Sequence, residues 1–458
     1  MHTKTKVNDS CEEFEREIGP DTAFVFPQNI SEHDVLGKHL VIAPEYANWL
    51  VCDDEEYKVF CLLRAGKNLQ EVWKDLCGQG MNDDKATAII SQVAAQILGK
   101  EFEQKAVVTE NKILKVATLF ITAGCNLRCS TCVFGATVAG TNECSLADWK
   151  RFFKAFVNMG GQTVTLTGGE PMTSPDFEKI VICAKETGLQ VVVITNATLI
   201  NEENAKLLGG KCDEVQVSID GPNQKTHDSV RGKGTFKKAL AGLKKLSVYP
   251  NCRLSIAMTP TPDTIPIFQT ELHRFARWVR KSIRKDISIR VSRRLGKGRK
   301  IPSLSTQDQD AYRRAVTALC DDQLERGFTD KLDTAVIAPN RQKVGCGIGD
   351  FLTVTADGEI KLCEFFPDSF GNINGLGKDR NLLGTVAKRI EDIARSLRVE
   401  ELSACSQCDL RYFCGGKCRK DNKRDCGDPR VCKCDDEYKT SWYERLVRIS
   451  PYIVQPLA

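Results

Sequence analysis

At 458 residues the chain is longer than one ordinary core can fill, and 41% hydrophobic with 27% charged residues excludes a disordered chain. A formal charge of +5 is small for this length and argues against a dedicated nucleic-acid binder, whose surface must neutralise many phosphates. Apolar runs such as Val191–Ile194 are strand-sized, which argues against a membrane span, and Met1-His2-Thr3-Lys4 lacks the apolar core of a signal peptide, so the expected location is the cytoplasm.

Residues 1–29 are polar and acidic and read as an N-terminal arm, with Phe24-Val25-Phe26 as an arm or edge strand. Residues 30–104 read as a separate small domain. His39–Ile42 and Trp49–Val51 are strand candidates. A helix from Asp54 places Val59, Leu62 and Leu63 on one face and closes at Gly66. A second runs from Leu69 to Leu76. A third starts at Asp83-Asp84, whose side chains are placed to cap it. Two or three strands followed by three helices suit a winged helix-turn-helix. Glu71, Asp75 and Asp83-Asp84 put acid on the helices that would face phosphate, which argues against DNA.

From residue 113 to 305 strands and helices alternate. The strands are Ile113–Thr122, Thr163–Thr167, Gln190–Thr195, Glu214–Ile219, Arg253–Thr259 and Ile287–Ser292. Amphipathic segments separate them: Leu146–Met159, Asp176–Thr187, Glu202–Leu208, Thr235–Leu246 and Ile265–Ile283. Right-handed crossovers would make these an α/β fold with a parallel sheet curled into a partial (β/α)6 barrel. Ligands of such sheets sit at the C-terminal strand ends. Residues 306–345 form a bridging region with a helix over Thr306–Arg326. Residues 346–440 read as a metal-stapled domain short of long periodic elements. Residues 441–458 hold a final helix, Ser441–Ile449, and a tail.

The 21 cysteines are unevenly spread: Cys125, Cys129 and Cys132 form one tight group, and nine lie between Cys346 and Cys434. In a reducing compartment such groups read as metal sites, whereas scattered ones (Cys11, Cys52, Cys61, Cys77, Cys144, Cys183, Cys212, Cys252, Cys320) read as small buried hydrophobes. Three thiolates spaced CxxxCxxC can wrap three corners of a cubane cluster and leave the fourth iron open. A zinc knuckle closes with four ligands, and no fourth Cys or His lies suitably near.

This run after the first barrel strand resembles the radical S-adenosylmethionine (SAM) superfamily, whose hallmark is CxxxCxΦC. Thr131 stands where the family usually carries an aromatic residue near adenine. Thr167-Gly168-Gly169-Glu170-Pro171 looks like the family's GGEP motif, whose backbone holds the SAM amino group. The resemblance also implies SAM contacts from Thr195 and Asn196, from Ser218 and Asp220, and from Arg231, the candidate for the methionine carboxylate. The implied chemistry is reductive cleavage of SAM to a 5′-deoxyadenosyl radical that abstracts hydrogen.

The second cysteine region resembles the SPASM motif: Cys346, then Gly358 and Cys363, then Cys405-x2-Cys408-x5-Cys414-x3-Cys418, then Cys426, Cys432 and Cys434. A hairpin turning at Asp357-Gly358 brings Cys346 and Cys363 together. The resemblance implies two auxiliary [4Fe–4S] clusters besides the SAM-binding one. Cys346, Cys363 and Cys418 would hold the first. Cys405, Cys408 and Cys414 would hold the second, with Cys432 or Cys434. Zinc ribbons are the competing reading, but they use C-x2-C pairs. No cysteine stands just upstream of Cys346, where the family often has one, so the first auxiliary cluster is expected to keep an open iron for a substrate thiolate, or to take Cys320.

Residues 30–104 resemble the leader-recognition domain of ribosomal peptide maturases, in which a leader peptide adds a strand to a sheet edge. Nearly the whole chain, including Gly296-Lys297-Gly298-Arg299, resembles the sactipeptide thioether synthases. The expected partners are a precursor peptide and an electron donor such as flavodoxin or ferredoxin, with no nucleic acid and no membrane. Competing readings are a carbon–carbon crosslink or other peptide oxidation, an enzyme of cofactor biosynthesis, and a non-enzymatic regulator.

Overall fold

The computed structural model describes residues 3–7, 14–103, 114–136, 142–326, 338–366, 368–379 and 381–453. Cys11, Gln104 and Ile113, named above, lie outside them. In the arm, β1 (Thr3–Val7) pairs antiparallel with β2 (Phe14–Ile18). Phe24-Val25-Phe26 forms no strand. Phe24 is buried instead, and the Phe26 ring meets Phe60 edge-on at 5.2 Å, so the segment plugs the domain that follows.

That domain opens with β3 (Ser31–Val35), β4 (Lys38–Ala43) and β5 (Asn48–Cys52), an antiparallel sheet in the order β3-β4-β5. Strand β3 escapes the sequence reading because Ser-Glu-His-Asp-Val offers no apolar alternation. It is a hairpin partner through Leu36 and Gly37, both at positive φ, as a two-residue turn requires. Three helices follow. Helix α1 (Asp54–Arg64) has a capping box from Asp53 and Glu56, and α2 (Leu69–Gly78) one from Asn68 and Glu71. The cap of α3 (Asp83–Gly99) is Asn82, not Asp83 or Asp84. Those two acids lie inside the first turn, where the helix dipole favours them.

The period of two along β4 and β5 splits their side chains between two cores. Val41, Ala43, Leu50 and Cys52 face the three helices. Leu40, Ile42 and Trp49 face the C-terminal domain and pack with Phe413, Trp442 and Leu446. Both faces are buried, so the small domain is seated on the rest of the chain.

The barrel strands and helices are β6 (Val116–Phe120), α4 (Leu146–Asn158), β7 (Thr163–Thr167), α5 (Phe177–Glu186), β8 (Gln190–Thr195), α6 (Glu202–Lys211), β9 (Glu214–Ser218), α7 (Gln224–Arg231), α8 (Thr235–Leu246), β10 (Arg253–Met258), α9 (Ile265–Ser282) and β11 (Ser288–Val291). The strands pair in parallel in the order β6-β7-β8-β9-β10-β11, as expected. Helix α7 was not anticipated; the Asn223 side chain caps it through Thr226 N–H. The long α10 (Thr306–Glu325) bridges to the C-terminal region.

There β12 (Phe351–Val354) pairs in parallel with β6, and β13 (Glu359–Lys361) and β14 (Ser369–Asn372) continue outward. The cysteine-rich region thus extends the barrel sheet to nine strands. The hairpin turns at Asp357-Gly358, with Gly358 at φ 88°. One long periodic element does occur, correcting the sequence reading: α11 (Leu382–Ser396) buries Leu383, Val386 and Ile390 at helical spacing. Short helices α12 (Arg411–Cys414) and α13 (Arg419–Cys426) follow. Helix α14 (Asp436–Ile449) starts a turn before Ser441, because Asp435 caps it through Tyr438 N–H. Among the described residues no helix is long and apolar enough to cross a membrane.

Candidate functional site

The loop carrying Cys125, Cys129 and Cys132 leaves β6 and lies directly on the end of β7. Gly169 N–H donates to Thr122 O at 2.9 Å, and Glu170 N–H to Gly124 O at 2.8 Å. A Cβ on Gly168 would stand 2.3 Å from Thr122 O, and one on Gly169 2.0 Å from Gly124 O. The two glycines therefore let the cysteine loop itself approach, a role the sequence reading had given only to a ligand. Ser130 N–H donates to Val230 O (2.9 Å) and Lys300 N–H to Ser130 O (2.9 Å). A Cβ on Gly298 would stand 2.7 Å from Ser130 O, so the position has no room for a side chain. The segment Gly296–Arg299 is thus a second wall of the loop.

Polar side chains knit the neighbouring strand ends. Glu170 is 1% exposed, and its carboxylate accepts from Thr195 Oγ1 (2.7 Å) and Asn196 N–H (2.8 Å). Burial pushes its pKa up to about 7, against the pull of those donors. Asn196 Nδ2 donates to Asn126 Oδ1 at 2.9 Å, which ties β8 to the cysteine loop. Asp220 accepts from Thr259 N–H (2.8 Å) and from Arg231 Nε (2.7 Å). Ser218 ends β9, and Pro171 opens a short 3-10 turn. Burial raises the Cys125 and Cys129 pKa values; the Leu127 N–H opposes this at Cys125, with Arg231 a smaller opposing influence there, and Arg231 opposes it at Cys129. The loop thus presents partly buried thiols beside one cation and backbone N–H groups, a donor set that suits an anionic thiolate cluster.

The C-terminal cysteines form two neighbouring groups. Cys346, Cys363, Cys414 and Cys418 line one cavity of about 440 Å³ with Arg293, Arg294, Arg313, Lys343 and Lys417. Arg294 reaches both the Cys418 sulfur and Asp421. A cluster held by thiolates is net anionic, and this cationic lining fits one. The turn between Cys414 and Cys418 is Gly415-Gly416-Lys417, all at positive φ, held by the buried Arg419 guanidinium on the carbonyls of Leu397 and Gly416. In the second group Cys432 and Cys434 sulfurs are 3.5 Å apart, and Cys405 and Cys432 pack in one small buried cluster against Cys434. Cys408 and Cys414 lie alongside on the Trp49–Phe413 core.

Cys320 is buried on α10 and does not line the Cys346 cavity, and Cys426 faces a different cavity beside Thr306 and Lys433. Among the described residues no three Cys, His, Asp or Glu converge on a single metal ion. A cubane gives each thiolate its own iron, so its ligands do not converge on one point. Of the scattered cysteines, Cys52, Cys183, Cys212, Cys252 and Cys320 are buried, and burial pushes Cys52 up to about 12 and Cys252 to about 11. Sequence reasoning missed the cations of the Cys346 cavity, which come from four separate segments with no shared motif.

A parallel sheet, a cysteine loop clamped on a Gly-Gly strand end, and polar groups at successive strand ends are the parts that a radical SAM domain brings together. Residues 119–261 match the model of the Radical SAM superfamily. It is 39% identical over 129 residues to an AdoMet-dependent heme synthase of Methanosarcina barkeri, covering 28% of this chain and 37% of that protein. It is 27% identical over 309 residues to the antilisterial bacteriocin subtilosin biosynthesis protein AlbA of Bacillus subtilis, covering 66% of each chain. The chain thus spans little over a third of the first relative and just under two thirds of the second. Among solved structures it is similar to Streptococcus suis SuiB bound to S-adenosylmethionine, with TM-score 0.55 and 15% identity over 90% of this chain and 99% of that one. SuiB bound to precursor peptide SuiA gives TM-score 0.53 at 17% identity. At these identities the likeness is one of fold.

Proposed function

We propose that this protein matures a ribosomally made precursor peptide by joining a cysteine sulfur to a peptide α-carbon. The observation that carries the reading is the seating of the three-stranded sheet on the cysteine-rich domain. Strand β3 is an edge, unpaired on its outer side among the described residues, and its Ser31 and His33 side chains reach Asp409, next to Cys408. An edge strand with open N–H and C=O groups is suited to take up an extended leader. The similarity to AlbA, a bacteriocin biosynthesis protein, and to SuiB, which binds a precursor peptide, supports the same reading.

Cys125, Cys129 and Cys132 would hold a [4Fe–4S] cluster, which when bound would supply the one-electron chemistry for reductive cleavage of SAM to methionine and a 5′-deoxyadenosyl radical. The strand end Gly168–Pro171 would hold the methionine amino group, Arg231 its carboxylate, and Asn196 and Ser218 the remaining polar edge. Glu170 and Asp220 position these groups, since their carboxylates are taken up by neighbouring strand ends. Cys346, Cys363 and Cys418 would hold one auxiliary cluster and leave a corner for a substrate thiolate. Cys405, Cys408 and Cys414, with Cys432 or Cys434, would hold the other. A flavodoxin or ferredoxin would supply electrons. The second reading, cofactor biosynthesis, draws on the heme synthase similarity, which covers 28% of this chain.

The test is iron and sulfide content, with Mössbauer and EPR spectra with and without SAM, on anaerobically reconstituted protein. About twelve irons per chain are expected for three cubanes. Incubation with a cysteine-containing peptide encoded by a neighbouring short reading frame should then remove two hydrogens per crosslink and block thiol alkylation. The same mass loss with thiols still alkylatable points to a carbon–carbon crosslink. Zinc in place of iron overturns the reading.

A further inference from the structure

A cavity of about 500 Å³ shares Gly168 and Gly169 with the cysteine-loop site but opens on its other side, toward β12. None of Asn196, Ser218, Asp220 or Arg231 lines it. One wall is apolar: Phe120 and Phe134 meet edge-on at 4.6 Å, with Ala136 beside them. Phe134 is 47% exposed, a large aromatic surface left uncovered at the mouth of a buried site. Thr353 is among the residues lining this space; it is 1% exposed, and its Oγ1 has no hydrogen-bond partner among the described residues. A hydroxyl buried on strand β12 and left unpaired is costly unless something arriving in the cavity satisfies it. The rim carries three carboxylates, Glu143, Asp357 and Glu364, against one ammonium, Lys361, which is itself paired to Glu359 at 3.3 Å.

We infer that this cavity is the subsite for an apolar, preferably aromatic, side chain of the substrate peptide, whose backbone amide hydrogen-bonds Thr353 Oγ1. The identity of the occupant as a peptide rests on the function proposed above. The acidic rim repels Asp and Glu side chains. The Phe120–Phe134 pair gives an aromatic ring the edge-to-face partners it favours. Phe134 and Thr353 therefore select which residue of a peptide is presented beside the Gly168–Gly169 turn.

The experiment uses reconstituted full-length protein with SAM and the blocked probe acetyl-Gly-(4-fluoro-Phe)-Cys-Gly-amide, followed by fluorine NMR. Saturable binding is expected. Phe134→Asp should weaken it about tenfold, and the isosteric Thr353→Val about fivefold. An unlabelled peptide with Asp in place of the fluoro-Phe should fail to displace the probe. Equal binding by both variants and wild type, or equal displacement of the probe by unlabelled peptides with Lys and with Phe at that position, overturns the inference. Protein that holds iron and cleaves SAM but ignores the probe refutes the subsite alone. Protein that binds the probe through Phe134 and Thr353 but neither holds iron nor cleaves SAM refutes the function while the subsite stands.

Discussion

Arg231 Nε donates to Asp220 Oδ2 at 2.7 Å, and Asp220 is 1% exposed. The pair spans from the end of β9 to the last residue of α7, so it fixes the guanidinium beside Cys129. Removing the carboxylate leaves a partly buried cation without its partner. Asp220→Asn should lower unfolding free energy by about 3 kcal/mol and weaken SAM binding in equilibrium dialysis. An unchanged denaturation midpoint together with unchanged SAM affinity would show that the pair holds nothing in place.

Gly169 lies closer to the cysteine loop than any side chain permits. Gly169→Ala must push Gly124 and with it Cys125 away, because the new Cβ would sit 2.0 Å from a backbone carbonyl. The expected result is loss of the SAM-responsive EPR signal with iron at the C-terminal cysteines retained. Full retention of that signal would contradict the packing argument.

Lys100 is buried, stacked over Trp49 at 4.7 Å, and donates to Ser450 Oγ at 2.6 Å, between the small domain and the C-terminal helix. Burial lowers its pKa to about 7. Between that value and the ordinary lysine pKa the unfolded chain binds more protons than the native one, so Lys100 makes stability rise with pH from about 7 upward. Below pH 7 the full penalty of a buried charge applies, on the order of a few kcal/mol. Urea titrations of wild type and Lys100→Met from pH 6 to 10 should show the wild-type slope reduced in the variant; parallel slopes would be evidence against it.

His227 gives an acid-side counterpart. Asp220 N–H donates to its Nδ1 at 3.2 Å, and burial holds its pKa down at about 4. The native ring stays neutral where an unfolded one takes a proton, so stability falls as pH drops from about 6.5 to 4. In His227→Gln that decline should be shallower, as thermal melts across the range will reveal.

Trp49 joins the two domains, its ring 5.6 Å from Phe413 and its Nε1 donating to Leu446 O at 3.1 Å. Trp49→Ala should cost about 3–5 kcal/mol and loosen the small domain, read as faster limited proteolysis. Cleavage at the wild-type rate would mean that the interface does not depend on this anchor.

What the sequence determined by itself was the alternation of strands and helices and the spacing of the cysteines. Alternating strands and helices from Thr163 onward are local patterns, since period and capping are written in adjacent residues, and cysteine spacing is legible because a thiolate cluster needs little else. It did not disclose β3, whose polar strand pairs only because β4 offers it a partner, nor the Asn82 cap, where three successive polar residues compete for one position. Only the tertiary structure decided that Gly168 and Gly169 serve the cysteine loop, that Arg231 is committed to Asp220, that β12 joins the barrel sheet, and that Lys343, Arg293 and Arg313 gather around Cys346. Each of these joins residues far apart in the chain, and their meeting depends on the sheet order and the packing of helices, which no local window of sequence contains.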